Sequence, residues 1–529
     1  MTSATATPLA PAAPATPPPA PWTPTANRWM IAVSVMTATF MVVLDSSVAN
    51  VALPHIAGNL SASTDEATWV LTSYLVSNAI MLPATSWITF RIGRKRLLLV
   101  SIVLFTAASL LCGLAINMPM LILARILQGI GGGGMQPIAQ AILLESFPPR
   151  EHGTAMAVYG IGIVVAPVIG PTLGGWITDS YSWRWIFYIN LPVGVLAIFL
   201  AGMFIEDPPY IRRKLTGAID YLGFGLMALW LGSLQLVLDK GQESDWFGAT
   251  WIRWTAFLSI AAFLSFLLRE RRCRDPIVQL HILRNRNFLT GTLITAIYGF
   301  VLYGVTAILP LFLQTLLGYP ALDSGLAVSP RGIGSMLSML VAGYLAARID
   351  GRLLLAIGLG IFGFSTLMLA HLNLDIAMSS VAWPNIINGF AGGFVFVPLT
   401  TMAMGRLRRE EIGNASGIYN LMRNIGGSIG IATVTTLLVR RSQVHQNYLA
   451  AHLTAGAQTV TGTLAALAQH FTISGFDPTT AHTMALGAIY KMVQQQASLL
   501  AYADSFTVLG YLALVAMPMV LMFQRVQKS

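Results

Sequence analysis

The sequence predicts an all-α polytopic membrane protein with fourteen transmembrane helices. Of its 529 residues, 55% are hydrophobic and only 10% are charged, and the mean hydropathy is +0.68. Soluble proteins carry about 25% charged residues. Apolar runs of about 17 to 25 residues, the length that spans a bilayer, recur along most of the chain. Together these observations exclude a soluble fold and leave little mass outside the membrane.

Fourteen apolar runs are long enough to be transmembrane helices. They lie at 29–53, 68–90, 97–116, 120–144, 154–178, 185–205, 218–238, 252–268, 288–316, 324–347, 353–371, 378–404, 412–439 and 503–523. Residues 1–27, before the first run, are rich in Ala, Pro and Thr. Because repeated prolines cannot hold a helix, we predict that this segment is a disordered cytoplasmic tail.

The basic residues predict the orientation of the chain. If the N-terminus lies in the cytoplasm and the loops alternate, 22 of the 31 lysines and arginines fall on the inner side and six on the outer side. Inner loops of membrane proteins carry an excess of Lys and Arg. We therefore expect both termini in the cytoplasm. The net charge of +10 is explained by this bias and does not indicate nucleic-acid binding.

A weak internal repeat predicts two halves. The basic turn Ser86–Lys95 follows the second run, and a similar turn, Gly343–Arg352, follows the tenth. A separation of eight runs fits two six-helix halves with a two-helix insert, an arrangement of 6 + 2 + 6. The predicted units are an N-terminal bundle at 28–206, an insert with linkers at 207–286, and a C-terminal bundle at 287–529 with a large periplasmic loop at 440–502. For that loop, a surface cap and a docking site for a partner are both open.

Four ionisable side chains lie well inside the predicted spans, where charge is costly and therefore suggests function. They are Asp45, the only acidic one, and Arg125, Arg331 and Arg423. At about 1.5 Å per residue, Asp45 and Arg125 lie roughly 24 and 21 Å from the inner surface, so we expect them to pair if the first and fourth helices are neighbours. Arg331 and Arg423 lie at roughly 20 and 17 Å, and we expect them to line the same cavity from the C-terminal half.

The expected role of Asp45 is reversible protonation, because burial and a nearby Arg act in opposite directions on a carboxyl group. A static ion pair with Arg125 is the alternative. Arg331 and Arg423 have alternatives too, since either side chain can reach an interface or bond a buried carbonyl.

Proline and glycine recur in the fifth run, between Tyr159 and Trp176. In water these residues would break a helix, but in a bilayer the backbone has no other partner and the helix persists. Gly170 and Gly174 are four residues apart, so they share one face and allow a neighbouring helix to approach closely. A simple packing seam of small residues is the alternative to a functional motif.

Other classes of site are not supported by the sequence. Gly129–Gly134 contains G-x-G-x-x-G, but it lies inside a span with no preceding strand, which excludes a dinucleotide site. The eight histidines are scattered without metal-ligand spacing, and the two cysteines cannot form a disulfide framework. We find no nucleophile or acid–base pair near an interface. The sequence therefore predicts no enzyme activity, no metal and no cofactor.

Four motifs resemble those of the fourteen-helix drug:proton antiporters of the major facilitator superfamily, and among these the EmrB-type multidrug exporters. Leu44–Pro54 is similar to the first-helix motif and places its acidic residue at Asp45, and Leu121–Gly129 is similar to the fourth-helix motif, with Arg125 and Gln128. Two further motifs complete the resemblance. The loop between the second and third helices contains Arg91, Gly93, Arg94 and Lys95. The antiporter motif of the fifth helix contains Ala166, Pro167, Gly170, Pro171, Gly174 and Gly175.

The resemblance implies a major facilitator fold and proton-coupled multidrug efflux by alternating access, associated with antibiotic resistance. It assigns proton coupling to Arg125, and it implies hydrophobic small molecules, protons and membrane lipid as partners. It also implies a periplasmic adaptor and an outer-membrane channel, with the chain in a bacterial inner membrane. Two other interpretations stay open: a dedicated exporter of a natural metabolite such as a siderophore, and a sensor or scaffold that transports nothing.

One departure from the family pattern concerns the loop between the second and third helices. Ser86 and Phe90 occupy positions where the superfamily motif has Gly and Asp. The sequence therefore predicts that the acidic latch from this loop to a neighbouring helix is missing.

Overall fold

The computed structural model describes residues 24–209, 220–273, 275–346, 348–453 and 458–524. All regular elements in these ranges are helical. The α-helices are α1 (Arg28–Asn59), α2 (Thr64–Ile92), α3 (Arg94–Gly113), α4 (Met118–Gly133), α5 (Met135–Ser146), α6 (His152–Ser180), α7 (Trp185–Tyr188), α8 (Asn190–Phe204), α9 (Tyr221–Lys240), α10 (Thr250–Arg272), α11 (Arg286–Leu311), α12 (Ala321–Val328), α13 (Pro330–Ala346), α14 (Gly351–Leu369), α15 (Met378–Met404), α16 (Arg409–His452), α17 (Gln458–Ile473) and α18 (Pro478–Ala516). Most of the predicted disordered tail, residues 1–23, and the basic residues of 212–214 lie outside the described ranges.

Each of the fourteen predicted runs falls on one helix or on two consecutive helices. The fourth run is divided into α4 and α5, the sixth into α7 and α8, and the tenth into α12 and α13. Within the described chain, eleven helical segments are long and apolar enough to cross a membrane. α2, α16 and the interrupted pair of α4 and α5 are not among them, so the count of fourteen stays a prediction.

The helices pack in two groups joined by a broad interface. In the first group α1 packs against α6 and α8, and α2 and α3 pack against α4. In the second group α11 packs against α16, and α15 packs against α13 and α14. The groups meet where α6 contacts α13 and where α16 contacts α2 and α5. These contacts agree with two bundles, while the exact bounds of the units stay predictions.

The ends of the bundle are distinguished by their side-chain contacts. We call the end that holds Arg28 the inner end and the opposite end the outer end. Arg28 contacts Glu151 at the inner end, whereas His55 contacts Asp179 at the outer end. The Asn287 amide donates to the carbonyl oxygen of Gln524. The end of the described chain at Gln524 is therefore held against the start of α11.

The segment 440–502 differs from the predicted loop, because most of its described residues are helical. α16 continues to His452, α17 follows, and α18 begins at Pro478. The carboxylate of Asp504 on α18 lies 2.6 Å from Arg441 and 2.7 Å from His445 on α16, so the two long helices are held together where they leave the apolar region. Ala, Leu and Gln have high helix propensity, which explains why the helices extend beyond the spans.

Candidate functional site

Asp45 and Arg125 form a buried ion pair inside the first bundle. Arg125 Nη1 lies 2.6 Å from Asp45 Oδ2, and the side chains of Arg125 and Asp45 are 0% and 1% exposed, respectively. α1 carries the carboxylate and α4 carries the guanidinium. The predicted contact between these residues is confirmed. The exchange of protons at Asp45 is not tested by this geometry and stays a prediction.

Two amide side chains complete the coordination of the Asp45 carboxylate. Gln128 Nε2 and Asn190 Nδ2 both donate to Asp45 Oδ1, at 2.8 and 2.7 Å. Arg125 also donates to Gln128 Oε1, at 2.7 Å. Gln128 was expected from the fourth-helix motif. These contacts, together with the ion pair, compensate for the cost of removing a carboxylate from water.

Asn190 was not predicted, although it connects the ion pair to a third helix. Its amide donates both to Asp45 and to Ser109 Oγ, the latter at 3.0 Å, and Ser109 donates to the carbonyl of Phe187. The available signal was the position of Asn190 at the start of an apolar run, because a buried amide is hydrogen-bonded in folded proteins.

Arg125 also contacts α2. Its Nε donates to the carbonyl of Val70 at 3.0 Å, and its guanidinium carbon lies 4.4 Å from the centre of the Tyr74 ring. Both partners belong to α2. A guanidinium over an aromatic face is stabilised by the charge distribution of the ring. Arg125 therefore keeps two contacts that do not depend on the charge of Asp45.

The antiporter motif lies on α6, beside the ion pair. α6 is continuous from His152 to Ser180 although Pro167 and Pro171 lie inside it, which confirms that the helix persists. A Cβ atom at Gly170 would lie 2.4 Å from Ser47 Oγ, and one at Gly174 would lie 3.0 Å from a methyl carbon of Val48.

Ser47 and Val48 follow Asp45 on α1, so the motif sets the separation of α1 and α6 next to the ion pair. The predicted close approach is confirmed. Ala166 is fully buried, whereas Gly175 faces more open space, since a Cβ atom there would lie 4.0 Å from its nearest neighbour. Sealing of the bundle interface by this motif stays a prediction.

A second polar cluster joins the two bundles. Arg423 on α16 donates from Nη2 to Gln136 Oε1 on α5, at 2.9 Å. One turn towards the inner end, Asn420 donates to Gln140 Oε1, also at 2.9 Å. The hydroxyl of Tyr159 on α6 donates to the carbonyl of Gln136. Gln136, Gln140 and Asn420 were not predicted, and their only signal was the presence of amides in apolar runs.

The expectation of one cavity lined by Asp45, Arg125, Arg331 and Arg423 is wrong for the contacts in this structure. The ion pair is enclosed within the first bundle, Arg423 lies at the interface of the bundles, and Arg331 on α13 donates to Thr306 Oγ1 on α11 at 2.8 Å. The sequence supplied only an estimate of the depth of each residue along its helix. It contains no information on which side of the helix the residue faces.

Arg331 and Arg423 contact only neutral hydrogen-bond acceptors among the described residues. Thr306 and Gln136 supply these acceptors, and no carboxylate forms an ion pair with either guanidinium within the described ranges. Arg331 Nη2 and Arg423 Nε are buried and have no hydrogen-bond partner there. Buried donor atoms without an acceptor are costly, so these two guanidinium groups are candidate contacts for an anionic group.

The loop between α2 and α3 is anchored by two acids from other parts of the chain. Arg94 makes two bonds to the buried carboxylate of Glu145 on α5, at 2.6 and 3.0 Å. The backbone amide of Lys95 donates to Asp207 Oδ1 at 2.7 Å. The loop itself carries no acid at Phe90, as the sequence indicated, but Glu145 and Asp207 anchor it from other parts of the chain.

Gly93 has a positive φ of 92°, which favours glycine, and a Cβ atom there would lie 2.6 Å from Asp207 Oδ2. The Arg91 guanidinium lies 4.6 Å from the centre of the Trp87 ring. The loop is thus a tight turn, as predicted, while its function in gating stays a prediction.

Comparison with known proteins decides the family. The family model of the Major Facilitator Superfamily matches residues 35–431, which is most of the chain. The chain belongs to the Major Facilitator Superfamily. The predicted fold class is therefore confirmed, and the protein is a multi-pass membrane transporter and not an enzyme.

Curated relatives in this superfamily cover most of the chain. It is 36% identical over 427 residues to the multidrug export protein EmrB of Escherichia coli (strain K12), covering 80% of this chain and 83% of the relative. It is 35% identical over 500 residues to the fatty acid resistance protein FarB of Neisseria gonorrhoeae, covering 94% and 96%. These matches confirm the resemblance to EmrB-type proteins.

The fold is also found in a solved structure. The crystal structure of the human organic anion transporter MFSD10 (TETRAN) superimposes with a TM-score of 0.58 at 13% sequence identity, and the match covers 92% of this chain and 99% of that one. At this level of identity, the similarity concerns the fold alone.

Proposed function

We propose that this protein is a drug:proton antiporter that exports hydrophobic compounds by alternating access. In this proposal it lies in the inner membrane of a bacterium, with both termini in the cytoplasm. The observation that carries it is the buried pair of Asp45 and Arg125, in which a carboxyl group inside the first bundle is held by several hydrogen-bond donors. The names of the relatives, a multidrug export protein and a fatty acid resistance protein, support the same class of substrate.

The chemistry of the pair follows from its contacts. A proton that binds Asp45 removes the charge that holds Arg125 Nη1, and it turns one carboxyl oxygen into a donor. Arg125 retains its bonds to Val70 and Gln128, so the bond between α1 and α4 is the one that weakens. Each elementary charge that crosses a potential of 100 mV supplies about 2.3 kcal/mol, and inward proton flow would supply this energy to the outward movement of the drug.

Proton release on addition of a drug tests this proposal. Everted membrane vesicles that contain the protein are energised, and a pH-sensitive dye reports the lumen while a hydrophobic drug is added. We expect drug-dependent proton release that is absent in vesicles without the protein. Release that is equal in both kinds of vesicle would reject antiport.

We further propose that hydrophobic compounds with an anionic group are among the substrates. The support is two arginines, the buried Arg423 and the partly exposed Arg331, whose described contacts are all neutral. A carboxylate bound beside Arg423 would supply the missing counter-ion, because charge-assisted bonds from guanidinium to carboxylate are among the strongest in proteins.

The Arg423→Gln variant is expected to lose transport of a fatty carboxylate by about 10-fold or more, since each charge-assisted bond contributes about 1.5–3 kcal/mol. The primary amide of the same fatty acid is the matched substrate, and its transport should change far less. Uptake of both compounds into everted vesicles measures the ratio. Equal losses for the acid and the amide, or transport of cations only in the wild type, would contradict the proposal.

The predicted periplasmic adaptor and outer-membrane channel remain proposals. They are supported by the outer extension formed by the end of α16, α17 and the start of α18, where Tyr448, Ile473 and Tyr490 are largely exposed. Exposed apolar side chains are often sites of protein contact. The corresponding test is co-purification of an adaptor with the full chain. We expect the adaptor to co-purify with the wild type and not with the Tyr448→Asp variant.

A further inference from the structure

α9, the first helix of the predicted insert, lies at the interface of the two bundles. It packs against α2 of the first bundle and α16 of the second. Near the inner end α2 and α16 touch directly, since a Cβ atom at Gly417 would lie 3.1 Å from the carbonyl oxygen of Leu82. Towards the outer end, their polar side chains instead meet α9.

A chain of polar contacts crosses this interface through α9. Ser428 Oγ on α16 donates to Gln235 Oε1 at 3.0 Å, and Gln235 Nε2 donates to Asp239 Oδ1 at 2.9 Å. The hydroxyl of Thr72 on α2 lies beside the same carboxyl group. We call these four residues, Thr72, Gln235, Asp239 and Ser428, the α9 bridge. Thr72, Gln235 and one carboxyl oxygen of Asp239 lie away from water, so the bridge forms in a medium where hydrogen bonds are strong.

Two further contacts beside the bridge hold the outer ends of α2 and α16. Lys240 Nζ donates to Thr68 Oγ1 of α2 at 2.6 Å, and the Trp246 indole donates to Thr436 Oγ1 of α16 at 2.9 Å. The outer end of α9 is therefore bonded to both bundles. If the bundles separate at this end, the contacts to one of them must break.

Asp239 is the titratable member of the α9 bridge, and the mechanism above does not use it. Its Oδ2 atom is buried and has no hydrogen-bond partner among the described residues. The charged groups beside it in the chain are Lys240, which follows it in α9, and Glu243, to which Lys240 donates a bond. α2 faces Asp239 with the hydroxyl of Thr72, and α16 reaches it only through Gln235.

We propose that Asp239 is a second proton-binding residue of the exchange cycle, and that its protonation weakens the α9 bridge and favours separation of α2 from α16 at the outer end. This inference rests on the proposed proton exchange. An ionised carboxylate accepts bonds roughly twice as strong as those of a neutral acceptor. A proton taken from the outer side therefore loosens the contact that joins α2 to α16 through α9 at the outer end.

The distance between the bundles at the outer end tests the proposal without any measurement of transport. Spin labels are placed at Gly58→Cys on α1, where a Cβ atom would have no packed neighbour within 4 Å, and at Val439→Cys on α16, which is 42% exposed. Cys112 and Cys273 are replaced in the full chain, which is studied in lipid nanodiscs. Pulsed dipolar spectroscopy then gives the distance distribution at each pH.

We expect the ratio of long to short distances to rise about tenfold between about pH 8 and about pH 5, a range that lies above the pKa values of exposed carboxyl groups, about 4, and in which a buried carboxyl group can titrate. In Asp239→Asn this change should be lost, and in Asp239→Glu it should return. Ser428→Ala should favour long distances at both pH values, because it breaks the bridge without touching the carboxyl group. Asp245→Asn, an exposed acid in the same outer turn, is the matched control and should behave like wild type.

A wild-type protein without a pH response, or an Asp239→Asn protein that keeps it, would overturn the inference. Failure of the antiport proposal is a separate result, because it appears as absent drug-dependent proton release in the wild type. A third outcome is a pH-dependent distance in the wild type together with drug-dependent proton release that is unchanged in Asp239→Asn. That outcome would reject the role of Asp239 in proton exchange and would leave the antiport proposal intact.

Discussion

The Asp45→Asn variant is expected to reduce drug-dependent proton release by about 100-fold or more, the size of effect that loss of a proton-transferring group typically has. Asparagine has nearly the shape of aspartate and can still accept a bond from Gln128 or Asn190, but it does not titrate. The substitution also leaves Arg125 buried without its counter-ion. The pH-sensitive dye assay in everted vesicles measures the release.

Loss of the buried charge also threatens the fold, since breaking a buried ion pair by removal of one partner costs about 3–5 kcal/mol. Asp45→Glu keeps the charge and separates the two effects, because it should fold and retain part of the release. Asp179→Asn is the matched control: this acid lies at the outer end of α6, with a side chain that is 74% exposed. Full release by a correctly folded Asp45→Asn protein would place the proton site elsewhere.

The Gly170→Ala variant is expected to lower drug transport by about 10- to 100-fold, through forced separation of α1 and α6. The new methyl group would lie 2.4 Å from Ser47 Oγ and 2.6 Å from Ser47 Cβ. Overpacking in a close-packed interface costs about 1–3 kcal/mol, and here the displaced residue is two positions from Asp45. Drug accumulation in everted vesicles and thermal stability in detergent measure both consequences.

A second substitution on the partner helix provides the decisive control. Ser47→Gly removes both atoms that the new methyl group would meet, so the double variant Gly170→Ala with Ser47→Gly should recover most of the transport. Gly175→Ala is the matched single variant, because its Cβ atom would lie 4.0 Å from the nearest atom, in Val51. If Gly175→Ala were as harmful as Gly170→Ala, general helix rigidity would explain the loss better than contact with α1.

The sequence contained enough information to predict contacts that depend on depth in the membrane. Asp45 and Arg125 were paired because a helix rises by a constant distance per residue, and the close approach at Gly170 followed from helical spacing. The position of Arg423 could not be predicted in this way. Which side of a helix faces which neighbour depends on the packing of all the helices, and apolar residues surround transmembrane helices on every side.

A local departure from a motif was also incomplete evidence. Phe90 suggested a loop without an acidic anchor, yet Glu145 and Asp207 supply carboxylates from distant parts of the chain. A motif is read along the chain, whereas an ion pair needs only proximity in space. Likewise, hydropathy marks where a helix leaves the apolar region and does not mark where it ends, so the helical continuation of α16 to His452 was not predicted.

The unbroken course of α16 has a mechanical consequence. The helix carries Arg423 in the interface between the bundles, and it continues without interruption to His452, about 20 Å beyond the end of its apolar part at 1.5 Å per residue. A rigid rod transmits rotation along its full length, and α18 runs beside it. Any rotation of the second bundle therefore displaces the outer tip of this extension sideways. The position of the tip would then report which state of the transport cycle the bundles occupy.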